Sequence, residues 1–405
     1  MKQWEIKSST GKHFDVLDGI RGVAILFVVA YHTFYVNPNS GSLIRAIGGV
    51  VETGWIGVPI FFVLSGFLIS YPFLRGRATN PRFWYQSGYA RRRIGKILPP
   101  FYLSIVIFTL YYYLRFSDPA YFRAAWQWAV GVPNFIQPAA NFKASYWSLI
   151  VEAQFYILLP FLFFFTRGLK PKRTAIFLFL LLFTGSLIAR QCVWPLAPQK
   201  EQVQFLTSRF PGQLDYFAWG VLFSGLFVSL SPVRDEMRKL SRFGYLGLIL
   251  LVLSIGLRIV CVQLLDINEH PKRWSIEFFH LLPAVATFFI LFFVFHAGSF
   301  GSRVLGHGGL RFIGIVSYEW FLFHQPVVAL FHDEIGDTRG NIVLYAAKTI
   351  LPLALTFGFS VIVYRFFSLP LMNRIRGKTL PTNAQPSVSA AENRPDDLLK
   401  LPAPP

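Results

Sequence analysis

The feature that most restricts the fold of this chain is a succession of about ten apolar segments, each long enough to cross a lipid bilayer. Roughly 20 mostly apolar residues span the hydrocarbon core as a helix. The segments lie near 16–36, 55–74, 98–115, 146–166, 173–189, 210–230, 243–264, 274–296, 311–331 and 342–367. They are apolar all round rather than alternating, which argues against a β-barrel. With 54% hydrophobic and 15% charged residues, the chain is predicted to be all-α, a polytopic transmembrane bundle of about ten helices.

Basic residues are distributed unevenly between the connections. Most of the 39 Lys and Arg fall in alternate loops and in the two terminal segments. The positive-inside rule assigns such segments to the cytoplasm, so we predict that both termini are cytoplasmic. Attraction of the basic loops to anionic lipid explains the net charge of +19. Membrane lipid is therefore the expected partner, and no nucleic acid is expected.

The chain is predicted to consist of a transmembrane domain, residues 1–374, and a tail, residues 375–405. The tail is rich in Pro, Ala and Asn, which favours a disordered cytoplasmic segment. The first apolar segment has no small-residue cleavage site and is expected to remain in the mature protein. The only cysteines are Cys192 and Cys261. They predict neither a disulfide framework nor a metal site, and one bridge between them stays open.

Two polar residues interrupt the first apolar segment, LDGIRGVAILFVVAYHTF. Arg21 and His32 are eleven residues apart, a spacing that places them on one helix face, about 16 Å apart along the axis. Ionisable residues within lipid need a partner or a water-lined cavity. Snorkelling of Arg21 and a simple interhelical hydrogen bond of His32 are the alternatives. Their common stripe favours a functional site.

A second polar stripe runs along the segment SYWSLIVEAQFYILLP. Ser148, Glu152 and Tyr156 follow one another at intervals of four residues and so share a helix face. A buried carboxylate must be protonated or paired, and a cationic His or Arg of another helix is the expected partner. An ion pair that only fixes helix packing remains the alternative.

A basic run, ARRRIGKILPPFY, comes directly before the third apolar segment. Its residues Arg92, Arg93 and Lys96 are candidate phosphate ligands, because guanidinium groups bind phosphate oxygens in bidentate fashion. Stop-transfer anchoring explains the same run without a ligand. Five further ionisable residues lie in or near apolar segments and receive no role: Asp215, Glu277, His280, Glu319 and His324.

Taken together, these stretches resemble the membrane-bound acyltransferase 3 family along nearly the whole membrane portion. LDGIRGVAILFVVAYH resembles the signature of the family's first helix, with its Arg21 and His32. GVPIFFVLSGFLIS is similar to the second-helix motif, and RRRIGKILP is similar to the basic run, although Lys96 stands where Arg is usual. The stretch YWSLIVEAQFYILLP resembles the fourth-helix motif at Trp147, Ser148, Leu149, Glu152 and Tyr156.

The resemblance implies an integral-membrane O-acyltransferase. Such a protein moves an acyl group, commonly acetyl, from cytoplasmic acyl-coenzyme A to a hydroxyl of a sugar, surface polysaccharide or glycolipid. A bacterial cytoplasmic (inner) membrane is the expected location. Some relatives carry an extra esterase-like domain, and this chain is expected to act alone or with a separate partner. The alternative is a secondary transporter with an intramembrane Arg/His/Glu site for a small solute.

On this hypothesis, His32 accepts the proton of the acceptor hydroxyl, and Glu152 orients His32 or pairs with its charge. A covalent acyl-histidine is an open variant. No metal is expected. Aromatic residues of the loop 116–145 either stack on sugars or anchor the chain at the interface. The remaining roles are donor binding by Arg21, Arg92, Arg93 and Lys96, and substrate binding by Ser148, Tyr156 and Trp147.

Overall fold

The part of the chain that the structure describes is almost entirely helical. The computed structural model describes residues 15–34, 42–77, 89–131, 142, 145–193, 208–230, 239–265, 273–295, 300–335 and 342–377. Helices joined by short turns make up these ranges, and no strand occurs within them. The all-α prediction is therefore confirmed. Most of the predicted tail, from residue 378 onward, lies outside the described residues.

We number the described α-helices in chain order. They are α1 (Asp15–Thr33), α2 (Ser42–Val51), α3 (Gly57–Pro72), α4 (Tyr89–Phe116), α5 (Ala120–Ala129), α6 (Tyr146–Phe165), α7 (Pro171–Val193), α8 (Leu214–Leu230), α9 (Phe243–Leu265), α10 (Arg273–Val294), α11 (Phe300–Leu305), α12 (Gly308–Ile335), α13 (Ile342–Val363) and α14 (Leu369–Gly377). Single 3₁₀ turns lead into α3 and α8, and π-helical turns follow α3 and α13.

Within the described ranges, nine helical segments are long and apolar enough to cross a membrane. They coincide with nine of the predicted spans, so the protein is an integral membrane protein built as a polytopic helical bundle. The tenth predicted span, 311–331, is also helical and forms most of α12. It is less apolar because it carries residues such as Glu319 and His324, which are only 3% and 0% exposed. These side chains face protein rather than lipid. Which end of the bundle faces the cytoplasm stays a prediction.

Helices α1 and α12 approach each other more closely than most side chains would allow. A Cβ atom on Gly22 would lie 2.3 Å from the carbonyl oxygen of Leu310, and one on Gly314 would lie 1.7 Å from that of Asp18. Small residues permit such close backbone packing between membrane helices. The crossing brings the polar stripe of α1 against the buried polar residues of α12.

Helix α3 lies between α1, α6, α8 and α10. It is apolar on all sides, and most of its length is buried. A polar side chain on such a helix must find a partner within the protein, because lipid offers none. Ser65, near the middle of α3, meets this requirement at the site described next.

Candidate functional site

Five helices, α1, α3, α4, α6 and α12, line a partly open cavity of ≈ 60 Å³. Apolar residues such as Phe61, Phe62 and Phe321 form part of its wall. Six of the nine predicted site residues line it, although they come from three separate stretches of the sequence: Arg21, Arg93, Lys96, Ser148, Glu152 and Tyr156. The fold therefore brings together most of the polar residues that the sequence singled out.

The carboxylate of Glu152 is held by two hydroxyl groups. Ser65 on α3 and Tyr156 on α6 both donate hydrogen bonds to Oε1 of Glu152. Tyr156 also lies under the guanidinium of Arg93, whose carbon is 5.4 Å from the ring centroid. No hydrogen bond between described residues joins Glu152 to His32. The carboxylate instead connects the second-helix motif, the fourth-helix motif and the basic run.

Three cationic side chains, Arg21, Arg93 and Lys96, form the positive part of the cavity wall; we call them the cavity cations. Lys96 lies within electrostatic reach of the other two and of the carboxylates of Asp18 and Glu319. None of the cavity cations makes a hydrogen bond to a residue that the structure describes. Nε of Arg21 is fully buried without such a bond. Buried donors normally have partners, so these are suited to hold an anionic ligand.

Two further polar residues of α12 lie at or near the cavity. The sequence pointed to Glu319 without giving it a role and did not single out Tyr318. Glu319 is buried and acts electrostatically on Lys96 and Arg21. Tyr318 lines the cavity and donates a hydrogen bond of 2.8 Å to the carbonyl oxygen of Ile97. The signal available in the sequence was an ionisable residue beside a tyrosine in an apolar segment, SYEWFLFH, but the pattern does not reveal which helix it faces.

His32 lies outside the cavity wall, next to a second histidine. Its Nδ1 atom is 2.9 Å from the carbonyl oxygen of Val28 and 3.1 Å from Nε2 of His324. The ring of His324 contacts Phe321, with centroids 5.9 Å apart, and Phe321 is part of the cavity wall. The histidine pair therefore adjoins the aromatic side of the cavity.

This combination of helices and motifs agrees with the comparison to known proteins. A family model described as an acyltransferase domain matches residues 14–365. The chain belongs to the acyltransferase 3 family. No solved structure matches it.

Among its relatives, the peptidoglycan O-acetyltransferase OatA of Listeria monocytogenes is 25% identical over 396 residues, which cover 89% of this chain and 56% of the relative. The O-acetyltransferase OatA of Staphylococcus aureus is 24% identical over 388 residues, which cover 91% of this chain and 58% of the relative. The chain thus spans little more than half the length of these relatives. The resemblance stated from the motifs is confirmed at the level of the family.

Two residues of the acyltransferase 3 motifs are placed differently from the six that line the cavity. Trp147 packs edge to face on Phe62, with ring centroids 6.4 Å apart. Since Phe62 is part of the cavity wall, Trp147 supports that wall from behind. Arg92 lies on α4, but its side chain falls outside the described part of the structure.

The bundle of this acyltransferase 3 protein holds a second group of buried charges, which we call the Arg190 network. Arg190 on α7 bonds Asp215 at 3.1 Å and Glu277 at 2.6 Å. It also donates to Ser186 at 2.9 Å and to the carbonyl oxygen of Gly212 at 2.6 Å. None of these residues belongs to the cavity wall. The network joins α7 to α8 and α10.

Proposed function

We propose that this protein transfers an acetyl group from acetyl-coenzyme A to a hydroxyl of a cell-wall or surface glycan. Membership of the acyltransferase 3 family supports the class of reaction. The names of both relatives state O-acetyl transfer, and the name of the Listeria relative specifies peptidoglycan. One observation carries the proposal. The same cavity is lined by the cavity cations, which make no hydrogen bond to any described residue, and by the carboxylate of Glu152, which accepts hydrogen bonds from two hydroxyl groups.

The donor is assigned to the cavity cations. Coenzyme A carries several phosphate groups, and guanidinium groups bind phosphate oxygens through paired hydrogen bonds, whereas Lys96 offers a compact positive charge. Arg21 lies in the first two turns of α1 and Arg93 in the first two turns of α4. The distribution of basic loops assigns these ends to the cytoplasm, where acyl-coenzyme A is available. Arg92, next to Arg93 on α4, is expected to contribute.

The base is assigned to His32. It accepts the proton of the acceptor hydroxyl while the hydroxyl oxygen attacks the carbonyl carbon of the thioester. The carbon–sulfur bond then breaks, and the thiolate of coenzyme A takes the proton back from the imidazolium. His32 is about 16 Å from Arg21 along α1. This separation suits a donor whose phosphates and thioester lie at opposite ends of an extended arm.

The other cavity residues hold the reacting groups in place. Glu152 fixes the hydroxyl of Tyr156, whose ring lies under Arg93, so that the donor site and the fourth-helix motif form one unit. Ser148 and Tyr156 face the same cavity and are assigned to substrate binding, with Trp147 as the support of the wall. We assign the protein to the bacterial cytoplasmic membrane, since both relatives are bacterial.

The test is acetyl transfer by the purified protein in lipid nanodiscs. Radiolabelled acetyl-coenzyme A is offered with peptidoglycan fragments or with membrane glycolipid extracts, and release of coenzyme A is the second readout. We expect the wild type to label one acceptor class and His32→Ala to be slower by a factor on the order of 10² or more. His307→Ala, a change at an exposed histidine outside the cavity wall, is the matched control and should keep the wild-type rate.

Two outcomes would contradict the proposal. Wild-type rates in a folded His32→Ala protein would remove His32 as the base. If acetyl-coenzyme A neither raised the melting temperature of the wild type nor was consumed with any acceptor, the acyltransferase assignment would fail. Solute uptake into proteoliposomes would then test the transporter alternative.

A further inference from the structure

We infer that His324 is a positioning residue that fixes the protonation of the His32 ring and so leaves Nε2 of His32 free as the base. The inference rests on the proposed function and adds to it a residue on a second helix. Nothing in the sequence pattern assigns His324 this role. Both ring tautomers are fixed by which neighbouring atoms can donate a hydrogen bond and which can only accept one.

The tautomer of His324 is set by its own helix. Its Nδ1 atom lies 3.0 Å from the carbonyl oxygen of Trp320 and 3.0 Å from that of Phe321. Carbonyl oxygens only accept hydrogen bonds, so Nδ1 of His324 must carry the proton. In the neutral ring the proton on Nδ1 leaves Nε2 as an acceptor. The side chain is 0% exposed, and water cannot compete for that position.

The tautomer of His32 follows from its two neighbours. Nδ1 of His32 faces the Val28 carbonyl oxygen at 2.9 Å and Nε2 of His324 at 3.1 Å. Both of these atoms are acceptors, so Nδ1 of His32 must be the protonated nitrogen and shares its hydrogen between them. If Nδ1 of His32 carried no proton, its lone pair would face the lone pairs of the Val28 carbonyl oxygen and of Nε2 of His324. Nε2 of His32 therefore carries the lone pair.

Nε2 of His32 makes no hydrogen bond within the described ranges, so it is available to the hydroxyl of an acceptor. When it takes up that proton, the positive charge of the ring spreads to Nδ1, where the two acceptors stabilise it. This is the arrangement expected for a histidine base, in which a partner on one nitrogen prepares the other.

The placement of the pair depends on the crossing of α1 and α12. The close approach at Gly22 and Gly314 holds the two helices at a fixed separation. On the far side of α12, Trp320 donates a hydrogen bond of 3.0 Å to Thr356 of α13. These contacts hold α12 between α1 and α13, and the two Nδ1 contacts hold the ring of His324 on α12, which is the condition for one residue to orient another.

The experiment compares three substitutions at one position. His324→Gln can present an amide oxygen near the position of Nε2 and so keep an acceptor for His32. His324→Asn is shorter, and its amide remains near the position of Nδ1. His324→Leu removes the acceptor. We expect the Leu and Asn variants to lower kcat about 10- to 100-fold with little change in the KM for acetyl-coenzyme A, and the Gln variant to recover most of kcat.

A double-mutant cycle with His32→Ala separates positioning from packing. If His324 acts through His32, adding His324→Leu to His32→Ala should lower the rate no further. If His324→Leu lowered the rate of the His32→Ala protein by as large a factor as it lowers the wild-type rate, the inference would be overturned. The inference would also be overturned if His324→Leu kept the wild-type kcat. The same holds if size exclusion and thermal unfolding showed that neither the Leu nor the Gln variant folds.

The same measurements distinguish this inference from the proposed function. An active, folded His32→Ala protein, or a wild type that never transfers acetyl, contradicts the proposed function itself. An inactive His32→Ala protein beside a fully active His324→Leu protein contradicts only the role of His324.

Discussion

The two buried charge groups of this protein differ in what surrounds their cations. In the Arg190 network the guanidinium is bonded to two carboxylates, a hydroxyl and a backbone carbonyl, all supplied by the protein. The cavity cations lie near carboxylates but form no hydrogen bond to any described residue, and they line a cavity. Both groups are costly to keep within a membrane domain.

The difference indicates different functions. A buried cation whose donors are all used by the protein joins helices, and its removal leaves buried carboxylates without a partner. A buried cation with unused donors beside a cavity is prepared for a ligand that brings its own negative charge. Burial of charge alone would not separate the two, since both groups lie within apolar helices. The two groups differ in whether the hydrogen-bond donors of the cations are used by the protein.

The largest expected effect is on the Arg190 network. Arg190→Leu leaves Asp215, which is 2% exposed, without its cation. We expect the variant to lose about 3–5 kcal/mol of stability, seen as a large fall in the apparent melting temperature in detergent. Arg21→Leu, a change in the cavity cations, is the matched comparison and should shift the melting temperature far less.

A charge-neutral variant tests the cause. Arg190→Leu combined with Asp215→Asn and Glu277→Gln should recover part of the lost stability, because no carboxylate is then left unpaired. If Arg190→Leu melted at the wild-type temperature, the Arg190 network would not be the structural group that its contacts indicate.

The next effect is on the cavity cations and concerns binding rather than stability. Arg21→Gln and Arg93→Gln should each raise the dissociation constant of acetyl-coenzyme A about 10- to 100-fold, since a charge-assisted bond contributes roughly 1.5–3 kcal/mol. Titration calorimetry on the folded variants measures the change. Arg115→Gln is the control, because Arg115 pairs with Glu334 at 2.8 Å on an exposed surface and should not affect affinity. Unchanged affinity in both cavity variants would place the donor elsewhere.

The sequence predicted the helical spans and six residues of the cavity wall, because hydrophobic period and motif spacing are local properties. It did not predict that Ser65 bonds Glu152 or that His324 meets His32. These pairs are 87 and 292 residues apart, and their contact depends on how helices cross. Spacing along one helix shows which residues share a face but not which helix that face meets.

Two features of the structure could not be predicted from the sequence for the same reason. The polar residues of α12 lower its hydropathy, yet it packs in the bundle because Glu319 and His324 are buried within protein. Arg190 lies near the end of a span, where a basic residue is ordinarily an interfacial anchor. Only the structure shows that it faces Asp215 and Glu277 of other helices.

The smallest expected effect comes from Lys96→Arg, which restores the residue usual in the family. A guanidinium offers a planar fork of donors in place of a single ammonium group. If a donor phosphate lies at Lys96, the affinity for acetyl-coenzyme A should rise a few-fold on the calorimetric titration, and Lys96→Gln should lower it. Unchanged affinity in both variants would mean that Lys96 is held by Asp18 and Glu319 rather than reserved for a ligand. Lys96 would then resemble Arg190, and the ligand-binding part of the cavity would reduce to Arg21 and Arg93.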